Sequence, residues 1–117
     1  MRRLAVLLAA ASLCATPALA QRISPVNGRN LLAMCSSHAL PGQKMCEAYV
    51  SGIADMIGYE KASSPDKAPP VCIPDAITGG QLRQTAADWL EGHKDLSGER
   101  AARQVYEALK AAYPCKG

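Results

Sequence analysis

Apolar residues recur at three- and four-residue spacing in four stretches of the chain, which is the pattern of amphipathic α-helices. The first predicted helix starts after Asn27, whose side chain can cap it, and runs to about His38. The second predicted helix runs from about Gln43 to Lys61. No stretch alternates apolar and polar residues over more than a few positions, so no strand is predicted. The pattern therefore predicts an all-α fold, a small bundle of about four helices.

The second predicted helix is the longest and the most apolar, so we expect it to be the central one. One face carries larger residues and is predicted to be buried, namely Cys46, Tyr49, Val50, Ile53, Met56, Ile57 and Glu60. The other face is a stripe of small residues, namely Ala48, Ser51, Gly52, Asp55 and Gly58. Small side chains let another backbone approach closely, so we expect tight packing along this stripe.

Prolines and capping residues organise the segment that leads into the third helix. Residues 62–74 contain four prolines, which predicts an exposed connection. Thr78 followed by Gln81 is a capping-box pattern, and the helix it starts is predicted to end near Gly92. Its buried stripe is predicted to contain Leu82, Thr85, Ala86, Trp89 and Leu90.

A fourth helix is predicted near the end of the chain. Ser97 is the expected cap, Glu99 lies in the first turn, and Pro114 stops the helix. Its inner side is predicted to contain Ala102, Val105, Tyr106, Leu109, Ala112 and Tyr113.

Residues 1–20 have the form of a secretory signal peptide. Positive charge in Met1–Arg3 precedes the apolar stretch Leu4–Leu13, and an Ala-Leu-Ala sequence ends the segment. Ten apolar residues are too few to cross about 30 Å of hydrocarbon. A bulky leucine directly before Cys14 disfavours lipid attachment there. We predict cleavage after the twentieth residue, which leaves residues 21–117 as a mature domain in the periplasm.

Length and charge narrow the range of functions. The chain has 117 residues, with 13 basic and 10 acidic side chains. Two of the basic residues lie in the leader, so the mature chain is nearly neutral and supplies little charge for binding nucleic acid. The sequence contains no Gly-rich phosphate loop, no internal repeat and no apolar run long enough to span a bilayer. One small domain is expected.

Four cysteines remain after the leader is removed, namely Cys35, Cys46, Cys72 and Cys115. An even number of cysteines in a small exported domain predicts disulfides. No Cys-x-x-Cys motif or closely spaced ligand pair suggests a redox or zinc site. Short turns between antiparallel helices favour Cys35–Cys46 with Cys72–Cys115, although Cys35–Cys72 with Cys46–Cys115 remains open at this stage.

Candidate catalytic residues are few. His38 and His93, the two histidines, both lie in predicted turns beside polar residues. Asp55 lies in the small-residue stripe, where we expect it to form structural hydrogen bonds or to pair with Arg83 or Arg103. A bundle of this size offers little concavity in which a nucleophile, a base and an acid could converge. We predict no catalytic site, no cofactor and no metal, and therefore not an enzyme.

A stapled helical domain without a catalytic site usually acts through its surface, and loops on a rigid scaffold are suited to contact a partner. Two loop segments are the candidate partner-binding regions. Their residues are Ser63, Ser64, Asp66 and Lys67 in the proline-rich connection, and His93, Lys94 and Asp95 in the turn after the third helix.

An ordered series of motifs around the four cysteines resembles the Rap/Tai family, the immunity proteins against amidase effectors of type VI secretion systems. The motifs are Asn27–Leu32, Cys46 with Tyr49–Asp55, Cys72–Pro74, Gly80–Leu82 and Ala108–Cys115. They span essentially the whole mature chain. The shared positions are caps, cysteines and glycines, which belong to the scaffold and do not identify residues that touch an effector.

The resemblance implies a periplasmic, mostly helical protein that binds a peptidoglycan amidase effector and blocks its active site. It also implies a possible homodimer, because such proteins often form two-plus-two complexes with their effectors. The alternative is a general periplasmic helical protein, a binding or chaperone-like module with no toxin partner.

Overall fold

Residues 24–116 are described by the computed structural model, and they form a bundle of four α-helices. The helices are α1 (Gly28–Cys35), α2 (Leu40–Ser63), α3 (Gly79–Gly92) and α4 (Ala101–Ala112). Short 3-10 helices follow α2 at Pro65–Lys67 and α3 at Lys94–Leu96. The predicted all-α bundle is confirmed. The predicted signal peptide, its cleavage site and Cys14 lie outside the described residues.

α1 begins where the sequence predicts and ends earlier. The Asn27 side chain accepts a hydrogen bond from the backbone N–H of Asn30 at 2.9 Å, which caps the helix. The helix ends at Cys35, so the predicted extension to about His38 is wrong. Ser37 holds the chain in a turn there, because its hydroxyl accepts from the N–H of Ala39 at 3.1 Å.

α2 begins at Leu40, three residues before the predicted Gln43, and ends at Ser63. Pro41 lies in the first turn, where its missing N–H needs no partner and its fixed φ suits a helix. With 24 residues, α2 is about 36 Å long and remains the longest element.

The connection after α2 is only partly exposed, contrary to prediction. Val71 is 1% exposed and belongs to the core. It pairs with Pro114 in an isolated antiparallel bridge, and the N–H of Cys72 donates to the carbonyl of Tyr113 at 2.8 Å. These contacts attach the proline-rich segment to the end of α4.

α3 has the predicted capping box and the predicted end at Gly92. The hydroxyl of Thr78 accepts from the N–H of Gln81 at 3.3 Å, and the Gln81 side chain accepts from the N–H of Thr78 at 2.8 Å. Leu82, Ala86 and Leu90 are buried as expected.

α4 starts at Ala101 and not at Ser97, and its N-cap Arg100 makes no side-chain capping bond. Backbone bonds to α1 replace the cap. The N–H groups of Gly28 and Arg29 donate to the carbonyls of Glu99 at 3.0 Å and Ser97 at 2.9 Å. The N–H of Ala101 donates in turn to the carbonyl of Val26 at 3.1 Å, so the starts of α1 and α4 are joined through their main chains.

The buried side of α4 is rotated from the predicted one. Ala102 and Ala112 are exposed, whereas the buried residues are Ala101, Gln104, Val105, Ala108 and Leu109. Gln104 is 3% exposed and donates through Nε2 to the carbonyls of Leu96 at 2.9 Å and Glu99 at 3.2 Å. A buried amide with these two acceptors fixes the turn that precedes α4.

α1, α3 and α4 all pack against α2, on the side that carries Cys46, Val50 and Ile57. The predicted core residues Met56 and Glu60 are exposed instead. The predicted tight packing along the small-residue stripe is also wrong, because a Cβ built at Gly52 or Gly58 would meet no atom within 4 Å. Within residues 24–116, three short helices cover one side of a long helix and leave the other side uncovered.

Two disulfides connect the helix ends. Cys35 and Cys46 lie at the turn between α1 and α2, with Cα atoms 5.0 Å apart. Cys72 and Cys115 join the segment before α3 to the segment after α4, with Cα atoms 4.9 Å apart. The favoured pairing is confirmed and the crossed pairing is excluded. None of the helices within residues 24–116 is both long and apolar enough to cross a membrane.

Candidate protein-binding surface

The first predicted contact region lies at the C-terminal end of α2. We call Ser63–Lys67 the α2 tip. Backbone bonds hold it in shape, because the N–H of Ser64 donates to the carbonyl of Glu60 at 2.9 Å and the N–H of Lys67 donates to Ser64 at 3.0 Å. Every side chain of the tip is exposed. The ion pairs found within residues 24–116 involve neither Asp66 nor Lys67, so both charges of the tip are available to a partner.

The second predicted contact region, His93–Asp95, is less free than its sequence indicates. The His93 ring stacks on Trp89, with ring centroids 3.7 Å apart, and its Nδ1 lies 2.7 Å from the Trp89 carbonyl. His93 is therefore half-buried. Its sequence context had indicated a solvated histidine in a turn. Lys94 forms an ion pair with Glu91, whereas none of the ion pairs within residues 24–116 involves Asp95.

These two regions are anchored on different helices. The 3-10 helix at Pro65–Lys67 packs against α2, whereas the one at Lys94–Leu96 packs against α1. The predicted contact residues therefore form two separate surfaces and not one continuous site.

Sequence reasoning missed an apolar exposed surface among the described residues. We call it the α2 outer face, and its residues are Met45, Ala48, Gly52, Met56 and Tyr59. The three large side chains are more than half exposed, at 60% for Met45, 53% for Met56 and 65% for Tyr59. Spacings of three, four and seven residues place all five on one side of the helix. The signal was present in the sequence, because α2 carries more apolar residues than one buried stripe needs.

The residues considered for catalysis are not brought together. Asp55 is exposed beside the groove between α2 and residues 71–77, whereas His38 lines a different groove near α1. The predicted pairing of Asp55 with Arg83 or Arg103 is wrong, since the ion pairs within residues 24–116 involve none of the three. Arg83 donates instead to the carbonyl of Cys35 at 3.3 Å.

No group of three or more potential metal ligands occurs in the part of the chain that the structure describes. The Trp89 ring is partly buried and packs against the core, as its spacing with Leu82 and Ala86 predicts.

The geometry defines a small helical protein, held by two disulfides, whose most distinctive surface is an exposed apolar face on its longest helix. The chain belongs to the family of Rap1a immunity proteins, whose model matches residues 27–115. Family membership makes it an immunity protein for a secreted effector and implies a cognate effector as its partner. No curated protein and no solved structure matches the chain.

Proposed function

We propose that this chain is a periplasmic immunity protein that binds a peptidoglycan amidase effector of a type VI secretion system and inhibits it by occluding its active site. Membership of the Rap1a family over residues 27–115 carries the proposal. The two disulfides favour an oxidising compartment, which agrees with export by the leader in the sequence. The substrate of such an amidase effector is peptidoglycan, so an inhibitor in the periplasm would meet the effector where it acts.

The α2 tip is the element best suited to enter an enzyme cleft. Its backbone is already hydrogen-bonded, so binding would immobilise little additional chain. The ion pairs found in the described part of the chain involve neither of its charges. One end of the tip continues from α2, and the Cys72–Cys115 disulfide ties the following segment to α4. A tip supported on both sides keeps its shape when it is pressed into a cleft.

Occlusion predicts that the tip controls inhibition. We expect the double substitution Asp66→Ala with Lys67→Ala to raise the inhibition constant by about tenfold or more, because interface hot spots typically contribute over 1 kcal/mol each. The assay measures peptidoglycan cleavage by purified Cys–His amidases at increasing concentrations of the oxidised mature protein.

A matched control removes an exposed charge pair elsewhere, Glu107→Ala with Lys110→Ala on α4. It should inhibit as the wild type does. Binding without inhibition would contradict occlusion, and a broad amidase panel with no binder would contradict the proposed target. Equal inhibition by the tip variant and the control would exclude the tip as the contact.

The α2 outer face suggests the homodimer that the family resemblance implies. An antiparallel second copy centred on Gly52 would bring Met45 level with Tyr59 of the other copy, and Ala48 level with Met56. Each contact would occur twice, as two-fold symmetry requires. The open space around Gly52 lets the two helices approach closely at their crossing point.

The dimer predicts a change in mass when the face is charged. Tyr59→Asp should convert a dimer into a monomer, because it places two desolvated carboxylates in the interface. Sedimentation equilibrium across a range of protein concentrations measures the change. Ala111→Asp, at an exposed position of α4, is the control and should leave the dimer intact. A wild-type protein that sediments as a monomer at all concentrations would contradict this arrangement.

The same apolar face favours a second candidate function, that of a chaperone-like binding module. Large exposed apolar patches commonly bind other proteins. A chaperone-like protein would suppress the aggregation of an unfolded client, and Tyr59→Asp would abolish that effect. An immunity protein whose face is covered by a second copy would have no such activity.

A further inference from the structure

The two disulfides have different surroundings. Cys35 and Cys46 are 2% and 0% exposed, so a reductant in solution cannot reach their sulfur atoms without local unfolding. Cys72 and Cys115 are both half-buried. They lie in segments outside the helices, where opening is easier than in the core. Of the two disulfides in the described residues, Cys72–Cys115 is therefore the more accessible in the folded protein.

A cation lies directly on one sulfur atom of the accessible disulfide. The ammonium group of Lys61, near the end of α2, lies against Sγ of Cys72. Lys61 is exposed and takes part in none of the ion pairs found within residues 24–116. Among the described residues no cation contacts a sulfur atom of the Cys35–Cys46 disulfide, since Arg83 reaches only the carbonyl of Cys35. The two sulfur atoms of the Cys72–Cys115 disulfide are therefore chemically different.

We propose that Cys72–Cys115 is a thiol–disulfide exchange site at which an external dithiol attacks Cys115 and Cys72 departs as a thiolate stabilised by Lys61. This inference does not depend on the proposed function. A positive charge beside a thiolate favours its formation, and the better-stabilised thiolate is the faster leaving group.

The exchange proceeds in two balanced steps. A thiolate of the dithiol attacks Sγ of Cys115, the Cys72–Cys115 bond breaks, and its electron pair leaves on Cys72 beside the Lys61 ammonium. The second thiol of the reagent loses its proton and attacks the reagent's other sulfur atom, the one bonded to Cys115 in the mixed disulfide. This attack releases Cys115 as a thiolate. The dithiol is oxidised to a disulfide, and the two cysteines are reduced by two electrons in total.

Reduction at this site should open one region and leave the bundle folded. The Val71–Pro114 bridge and the bond from the N–H of Cys72 to Tyr113 still connect the two segments. Cys35–Cys46 remains closed at the other side of the bundle. We therefore expect greater mobility in residues 68–77 and 113–116, which hydrogen exchange would detect.

The test follows reduction of the folded full-length mature protein by dithiothreitol, with rapid alkylation and peptide mass spectrometry. Cys72 and Cys115 should be alkylated well before Cys35 and Cys46. Lys61→Met should slow reduction of Cys72–Cys115 by about threefold to tenfold, whereas Lys61→Arg should keep most of the rate. Lys110→Met, at an exposed lysine of α4, is the matched control and should react as the wild type does.

A second measurement identifies the attacked sulfur. With glutathione in place of the dithiol and rapid acid quenching, the mixed disulfide should form on Cys115. Mixed disulfide predominantly on Cys72, equal rates for the two disulfides, or an unchanged rate in Lys61→Met would each overturn the proposal. Unfolding of the Lys61→Met variant is checked by circular dichroism, and the glutathione experiment on the wild type tests the direction of attack independently.

Discussion

Replacing Cys72 and Cys115 together by alanine should lower the free energy of unfolding by about 4 kcal/mol. This disulfide closes a loop with a sequence separation of 43 residues, and opening such a loop frees many conformations of the unfolded chain. The Cys35–Cys46 disulfide has a separation of 11, so loop entropy predicts a smaller loss of about 3 kcal/mol. The two loops do not overlap, and their effects should be nearly additive.

Urea unfolding followed by circular dichroism measures these losses. The variant without either disulfide should be largely unfolded at physiological temperature, because a small domain typically has only about 5–15 kcal/mol of stability. Full reduction of the wild type should lower its free energy of unfolding by a similar amount, and its melting temperature should fall accordingly. Double variants whose free energy of unfolding lies within about 1 kcal/mol of the wild-type value would contradict this account of the disulfides.

Gly28→Ala should destabilise the protein by about 2 kcal/mol, although alanine is the better helix former. A Cβ on Gly28 would lie 2.2 Å from Nε2 of Gln104, so the amide must move. That amide is buried and donates to the carbonyls of Leu96 and Glu99. Moving it leaves the buried Nε2 group without its two acceptors, while both carbonyls keep a backbone donor, and an unpaired buried amide costs more than the helix gains.

Gly52→Ala is the matched control for this prediction. Gly52 is also a helical glycine, but its Cβ position is open, so the substitution should stabilise the monomer by about 0.5–1 kcal/mol. Thermal unfolding at a protein concentration that favours monomers compares the two variants. Equal shifts in melting temperature would show that Gln104 adapts without loss of its bonds.

Local features of this fold were predictable from the sequence. The Asn27 cap, the Thr78 capping box and the end of α3 at Gly92 depend on residues within one turn of each other. The disulfide pairing followed from which helix ends meet in a hairpin. The caps and the end of α3 are decided by short-range geometry and the disulfide pairing by the adjacency of hairpin ends, and each of these predictions was correct.

Features decided by packing were not predictable. α2 has apolar residues on two sides, and only the positions of α1, α3 and α4 determine that Ile57 is buried while the adjacent Met56 is exposed. The burial of Gln104 depends on backbone carbonyls in the turn before α4, and the residues around Gln104 give no sign of these acceptors. The start of α4 was misplaced for the same reason, because backbone groups of α1 replace a side-chain cap.

The candidate binding regions divide in the same way. Exposure of the α2 tip followed from its proline and its polar residues, and the structure agrees. The stacking of His93 on Trp89 could not be predicted from the sequence, because a histidine four residues after a tryptophan can equally well point into solvent. The contacts that either region makes with an effector also depend on the surface of the effector, which is a separate protein.

The main-chain junction between α1 and α4 has an evolutionary consequence. Its three hydrogen bonds use the N–H and carbonyl groups of residues 26–29 and 97–101 and no side chain of the turn itself. Substitutions at Ser97 or Glu99 can therefore change the surface chemistry of this turn without loss of the junction. Insertions and deletions would shift the carbonyls out of register. Relatives of this protein should diverge freely in composition along this turn while keeping its length.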